Sequence, residues 1–154
     1  VSSYLYTRKH ADQPLIWFLD RISICIPLAG AMIRLGNLFN SEIIGRPTDV
    51  PWAFVFKFID DLPRHPAQLY EALGYLVTFV AMYLLYWKHR ANTPRGLIAG
   101  IMVATIFSWR IAMEFFKENQ VAFEEGMALN MGQILSVPAI MFGIVLFLRA
   151  KKPA

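Results

Sequence analysis

Two arginines stand inside runs that are otherwise apolar, Arg34 at the end of one and Arg110 within another. A guanidinium donates two parallel hydrogen bonds to phosphate oxygens, and such bonds strengthen where water is scarce. A charge at the centre of a spanning helix costs about 2.5–3.5 kcal/mol on insertion scales, and less near the interface. Packing against lipid has no use for that charge, so the chemistry the pair suits is the holding of an anionic phosphodiester. Glu42, Glu71 and Glu114 are the available counter-charges. Asn37, Asn40 and Gln133 can donate to ester carbonyls or hydroxyls, and equally well to nearby backbone. Arg110 and Glu114 are spaced i, i+4 and share a helix face. A self-neutralising ion pair that only lets the helix insert is the competing reading of those two.

The elements that must carry these residues are membrane spans. Of the 154 residues, 56% are hydrophobic and only 17% charged, against about 45–50% and 25% in a soluble domain. The apolar residues fall in four long runs, which predict an all-α integral membrane protein, one domain over 1–154, with spans at 15–34, 69–87, 97–116 and 131–148. Nineteen residues from Leu69 to Trp87 make a helix of roughly 28 Å, enough to cross the hydrocarbon core. Val1–Tyr6 reads as the last turns of an earlier helix, with Thr7-Arg8-Lys9-His10 as its basic exit, and the chain is expected to start partway through a longer protein. Asp20-Arg21, early in the first span, are expected to snorkel to the interface.

The net charge of +4 could suit nucleic acid, but the basic residues bracket the apolar runs instead of forming a stripe, so no nucleic-acid partner is expected. Arg8, Lys9, Arg21, Lys88, Arg90, Arg95, Arg149, Lys151 and Lys152 gather on one side. The positive-inside rule then puts the C-terminus in the cytoplasm and the loops over 37–64 and 117–130 outside, the latter acidic with Glu118, Glu124 and Glu125. Arg34, His65, Gln68, Tyr70, Glu71, Arg110 and Gln133 all come to the outer half of the membrane. Gln68, Glu71, Ala72 and Tyr75 form a polar stripe at i, i+3, i+4, i+7 that must face the bundle or a wet cavity. In the first outer loop Trp52, Phe54, Phe56 and Phe58 share one parity, which predicts a short extended segment with an aromatic face. Resting at the bilayer interface and touching substrate are both open to it. Cys25 is the single cysteine; it excludes an internal disulfide and reads as a packed thiol. His10, His65 and His89 form no ligand pair, and no metal is expected.

Four segments in order carry a resemblance. They are Arg34-Leu35-Gly36-Asn37-Leu38-Phe39-Asn40-Ser41-Glu42 with Gly45-Arg46, then Arg64-His65-Pro66-Ala67-Gln68-Leu69-Tyr70-Glu71, then Arg110-Ile111-Ala112-Met113-Glu114-Phe115-Phe116, and Met131-Gly132-Gln133-Ile134-Leu135-Ser136. Together they resemble the bacterial prolipoprotein diacylglyceryl transferases. The resemblance implies a seven-helix inner-membrane enzyme that moves the diacylglyceryl group of phosphatidylglycerol onto the lipobox cysteine of a preprolipoprotein. A thioether forms, glycerol phosphate leaves, and no cofactor is required. It implies catalytic roles for Arg34 and Arg110. It carries over Asn37, Glu42 and Glu114 as further site residues, and with the outer-side cluster read above the expected phosphatidylglycerol contacts are Arg34, Asn37, Asn40, Glu42, His65, Gln68, Tyr70, Glu71, Arg110, Glu114 and Gln133. Ile33 and Ile106 stand where the family commonly has glycine and tyrosine. The family's histidine-glycine-glycine motif and first helices are absent from the chain.

Two readings from other classes remain. A transporter fragment predicts polar groups at several depths or at a broken midplane helix, whereas here they gather at one level. A non-catalytic lipid-binding subunit predicts binding of phosphatidylglycerol without its consumption.

Overall fold

The computed structural model describes residues 15–117 and 131–150. The readings made for Val1–His10 and for the acidic stretch with Glu118, Glu124 and Glu125 lie outside the described residues. Four helices, each long and apolar enough to cross a membrane, account for most of the rest. They are α1 (Leu15–Phe39), α2 (Ala67–His89), α3 (Leu97–Glu114) and α4 (Met131–Leu148), with a 3-10 turn at Arg90–Asn92. Large apolar side chains point outward, such as Val77 at 69% exposure and Leu135 at 63%, as a lipid environment favours and water does not.

Four boundaries differ from the sequence expectation, one of them the end of α2, which runs two residues further to His89. α1 runs five residues past Arg34, so Asn37 lies on the helix. It ends in a Schellman motif: Glu42 N–H donates to Asn37 O at 2.9 Å and Ser41 N–H to Leu38 O at 3.2 Å. Ser41 supplies the left-handed residue at φ 56°, a place more often held by glycine. α2 starts two residues early because Pro66, which needs no N–H donor, serves as its N-cap. α3 stops at Glu114, leaving Phe115 and Phe116 in a turn.

The helices pack up and down. α3 and α4 run antiparallel in close contact, because Gly100 faces Gly143 and Phe147 while Gly132, at the other end of α4, lies against Glu114. A Cβ on Gly100 would stand 2.6 Å from Phe147 N, and one on Gly143 2.7 Å from Ala104 N. Small residues at such crossings let backbones approach in a membrane, where apolar surface alone gives no driving force. Between α1 and α2 the Tyr75 ring occupies the space left by Gly30. A cluster of Ile24, Ala31, Ala72, Tyr75, Met82, Ile98, Met102 and Ile106 joins α1, α2 and α3.

Asp20 does not snorkel. It is fully buried, with Oδ2 accepting from Gly96 N–H at 2.7 Å and Oδ1 from Ala99 N–H at 2.9 Å. The N-terminus of α3 has no side-chain cap of its own, since its N-cap is Gly96. Asp20 caps it from the neighbouring helix, and this satisfies two of the four donors every helix start leaves open. Arg21 lies over the Trp17 ring at 4.3 Å and near Tyr86 at 5.3 Å.

The connection from α1 to α2 folds over the opposite end of the helices. Phe54–Val55 (β1) pairs antiparallel with Pro63–Arg64 (β2), and isolated bridges tie Pro47 to Arg64 and Gly45 to Lys117. The extended aromatic segment is thus two residues long. Its aromatics do not share one environment: Phe56 is buried, while Phe58 is 91% exposed. Asp60 binds Arg64 through its carboxylate, and Arg64 Nη1 donates to Gly45 O at 3.2 Å. The guanidinium holds the Asp60 carboxyl below the usual carboxylate range.

Candidate functional site

Arg34 lies near the C-terminal end of α1, and Glu71 in the second turn of α2. Their side chains meet at 2.8 Å between Arg34 Nε and Glu71 Oε2. The other oxygen of Glu71 receives Lys117 Nζ at 2.9 Å, and the same ammonium reaches Glu114 Oε2 at 3.2 Å. The four groups form one chain, Arg34–Glu71–Lys117–Glu114, of alternating sign. Glu71 is wholly buried, Lys117 nearly so, and Arg34 is 11% exposed. A buried carboxylate is sustained only by such pairing.

The four charges balance one another. Arg110 stands on α3 without an acid partner among the described residues, and its Nε is buried with no hydrogen-bond acceptor. Glu114, four residues on, is instead engaged with Lys117 and packed on Gly132. The competing reading, a self-contained Arg110–Glu114 pair within α3, is not met, because Glu114 pairs with Lys117 three residues beyond the helix end. On Arg34 only Nε is paired among the described residues. Its two terminal nitrogens are left to donate. A guanidinium with no carboxylate among the described residues favours an anion.

Lys117 is the member that sequence reading missed as a site residue. Its neighbourhood explains its placement: it pairs with Gly45 in an isolated bridge, and its carbonyl accepts Arg46 Nε at 2.8 Å. Arg46 N–H also donates to Phe116 O at 2.9 Å. Gly45 is pressed against the His65 carbonyl, where a Cβ would stand 2.3 Å away. A lysine just after a span resembles any interfacial charge, and only its distance in sequence from Gly45 hid the link.

The remaining expected residues fall into two further groups. Gln68, fully buried, donates through Nε2 to the Glu42 carbonyl at 2.6 Å. Glu42 contributes this backbone oxygen, while its carboxylate is exposed and is no counter-charge to Arg34 or Arg110 among the described residues. Asn40 is also exposed, and Asn37 holds the loop through its carbonyl. Gln133 is buried at the start of α4. His65, Tyr70 and Phe116 form an edge-on aromatic cluster with centroids 5.3–5.9 Å apart. Trp52 Nε1 donates to Tyr70 Oη at 2.7 Å, and the same hydroxyl is hydrogen-bonded to His65 Nδ1 at 3.2 Å. These rings rim an apolar groove of about 960 Å³ between α2 and α3, floored by Gly74, Val77, Thr78, Ala104 and Trp109. Trp109 fits over Gly74 and donates to Tyr70 O at 3.2 Å. Cys25 is free and exposed on α1, away from the charged end. Ile33 is 64% exposed and Ile106 sits in the core, so neither departure from the family pattern intrudes on the ion chain.

Fold and site together define a multi-pass α-helical membrane protein with a compensated charge cluster at one end of its helices and an arginine, Arg110, that has no acid partner among the described residues. Residues 1–149 match the family described as prolipoprotein diacylglyceryl transferase. The chain is 47% identical over 151 residues to the phosphatidylglycerol–prolipoprotein diacylglyceryl transferase of Chloroherpeton thalassium, covering 98% of this chain and 56% of that protein. It is 48% identical over 153 residues to the protein of that name from Bacteroides fragilis, covering 99% and 55%, and 43% identical over 149 residues to that from Tolumonas auensis, covering 97% and 57%. The chain belongs to the prolipoprotein diacylglyceryl transferase family. It spans a little over half the length of these relatives.

Proposed function

We propose that this chain carries the phosphate-holding part of an enzyme that transfers the diacylglyceryl group of phosphatidylglycerol to the lipobox cysteine of a preprolipoprotein. The observation that carries the reading is the charge balance: Glu71 and Glu114 satisfy Lys117 and one nitrogen of Arg34, and Arg110 has no acid partner among the described residues. Arg110 and the free nitrogens of Arg34 donate to the phosphodiester oxygens. They stabilise the charge that grows as the carbon–oxygen bond to phosphate breaks and the carbon–sulfur bond forms. The nucleophile is the thiolate of the substrate, and glycerol phosphate departs with the bonding electrons. Cys25 takes no part. Asn37, Asn40, Glu42, His65, Gln68, Tyr70 and Gln133 make the rim, and Glu71 and Glu114 hold the cations in place. The protein is a seven-helix enzyme of the bacterial inner membrane, with this end of the helices toward the outer leaflet and the C-terminus in the cytoplasm. The basic residues of the Lys88–Arg95 turn support that orientation.

The test uses the protein as encoded, in membranes, with labelled phosphatidylglycerol and a lipobox peptide. Arg34→Ala and Arg110→Ala are each expected to lower thioether formation by about 100-fold or more while the protein still inserts. Near-parental turnover in either variant overturns the assignment. Binding of the lipid without any thioether in the parent protein supports the non-catalytic subunit instead.

A further inference from the structure

The charged ends of α1 and α3 must arrive at one level for Arg34 and Arg110 to share a phosphate. α1 and α3 run in the same direction, for both start at the Asp20–Gly96 contact and both end at the Glu71–Lys117 cluster. Arg34 follows Asp20 by fourteen residues, and Arg110 follows Gly96 by fourteen. At 1.5 Å per residue each arginine lies roughly 21 Å from the tie.

We infer that Asp20 is a positioning residue that fixes the axial register of α1 against α3 and thereby sets Arg34 and Arg110 at a common depth. Asp20 is the right device for this. It is fully buried, both of its oxygens are engaged, and both acceptances are from backbone N–H groups of the other helix. A side-chain-to-side-chain contact could follow a slipped helix by changing rotamer. A bond to two backbone donors at the start of a helix cannot. A slide of one residue replaces Gly96 and Ala99 with other partners and moves Arg110 by about 1.5 Å. The Arg34–Glu71–Lys117 chain ties the far ends of the two helices, the seam around Ile24, Ile98 and Met102 is apolar, and Asp20 supplies a polar tie at the near end. The role rests on the two-arginine reading of the proposed function, and it has a readout of its own.

That readout is the distance between spin labels at Met32→Cys and Ser108→Cys in a Cys25→Ser background, in lipid nanodiscs. Both sites are exposed, and each lies two residues before its arginine. Asp20→Ala is expected to shift or broaden the distance distribution. In the label-free protein it is expected to lower kcat by about 100-fold, the order expected for a misplacement near 1 Å, with KM changed less than about threefold. Asp20→Asn keeps one acceptor oxygen and is expected to fall between the two; it carries the same measurement should Asp20→Ala not fold. A parental distance distribution in both variants overturns the inference, as does a shifted distribution with parental kcat. If Arg34→Ala and Arg110→Ala retain activity, the proposed function fails, while the label distances still decide whether Asp20 sets the register.

Discussion

Lys117 Nζ lies 2.9 Å from Glu71 Oε1, with the lysine side chain 4% exposed and the glutamate fully buried. This one contact joins the end of α3 to the start of α2, and through Glu71 it reaches Arg34 on α1. Three helix ends are therefore held by a carboxylate whose removal leaves Arg34 without its acid partner among the described residues and Lys117 with Glu114 alone.

Glu71→Gln keeps the side-chain shape and removes the charge. It is expected to destabilise the protein by about 3–5 kcal/mol, the cost of breaking a buried pair from one side. Unfolding in mild detergent with added denaturant measures it. A Glu71→Gln, Lys117→Met double variant should recover part of the loss, and a strictly additive pair of losses would contradict the coupling.

Gly143→Ala should destabilise the α3–α4 seam. Its new Cβ stands 2.7 Å from Ala104 N and 2.9 Å from Gly100 O, both backbone atoms that cannot turn aside. Overpacking of this kind costs about 1–3 kcal/mol. Gly36→Ala is the control, because nothing lies within 4 Å of a Cβ there. Equal thermal midpoints for the two variants would refute the close-packing account.

Ser41 ends α1 at φ 56°. Ser41→Gly is expected to be neutral or stabilising, and Ser41→Val to fall about 1–2 kcal/mol below the glycine variant, the penalty for a side chain in the left-handed region. The valine variant should also lower turnover, since the motif delivers the Glu42 carbonyl to Gln68. Thermal melts and transfer assays on the pair check both parts, and a valine variant as stable as the glycine one would exclude the strain.

Asp60 titrates outside the spans. Its carboxyl is held below the ordinary value of 3.8 by Arg64. A depressed folded-state pKa contributes stability that is present above 3.8 and lost as pH falls through the lower, folded value. The β1–β2 connection should therefore loosen only under strongly acid conditions, below pH 3.8, and Asp60→Asn should remove that dependence. Protease cleavage within residues 48–63, followed against pH, reports it. Loosening between pH 5 and 7 would point to another group.

The four helices could be read from the chain alone, because an apolar run of spanning length in lipid must satisfy its backbone internally. So could the buried stripe on α2, where Gln68, Glu71, Ala72 and Tyr75 are all within 5% exposure, because helical period places them on one face. The motif residues Arg34, Glu71, Arg110 and Glu114 were legible as charges with no place in a lipid-facing helix. Which charge pairs with which follows from the packing of the helices. Glu114 could have joined Arg110 on its own helix, and it meets Lys117 instead; Asp20 could have reached the interface, and it caps α3. Local spacing limits which partners are near in the chain. A buried charge takes whichever partner gives the best contact in three dimensions, and for Asp20 that partner lies 76 residues away.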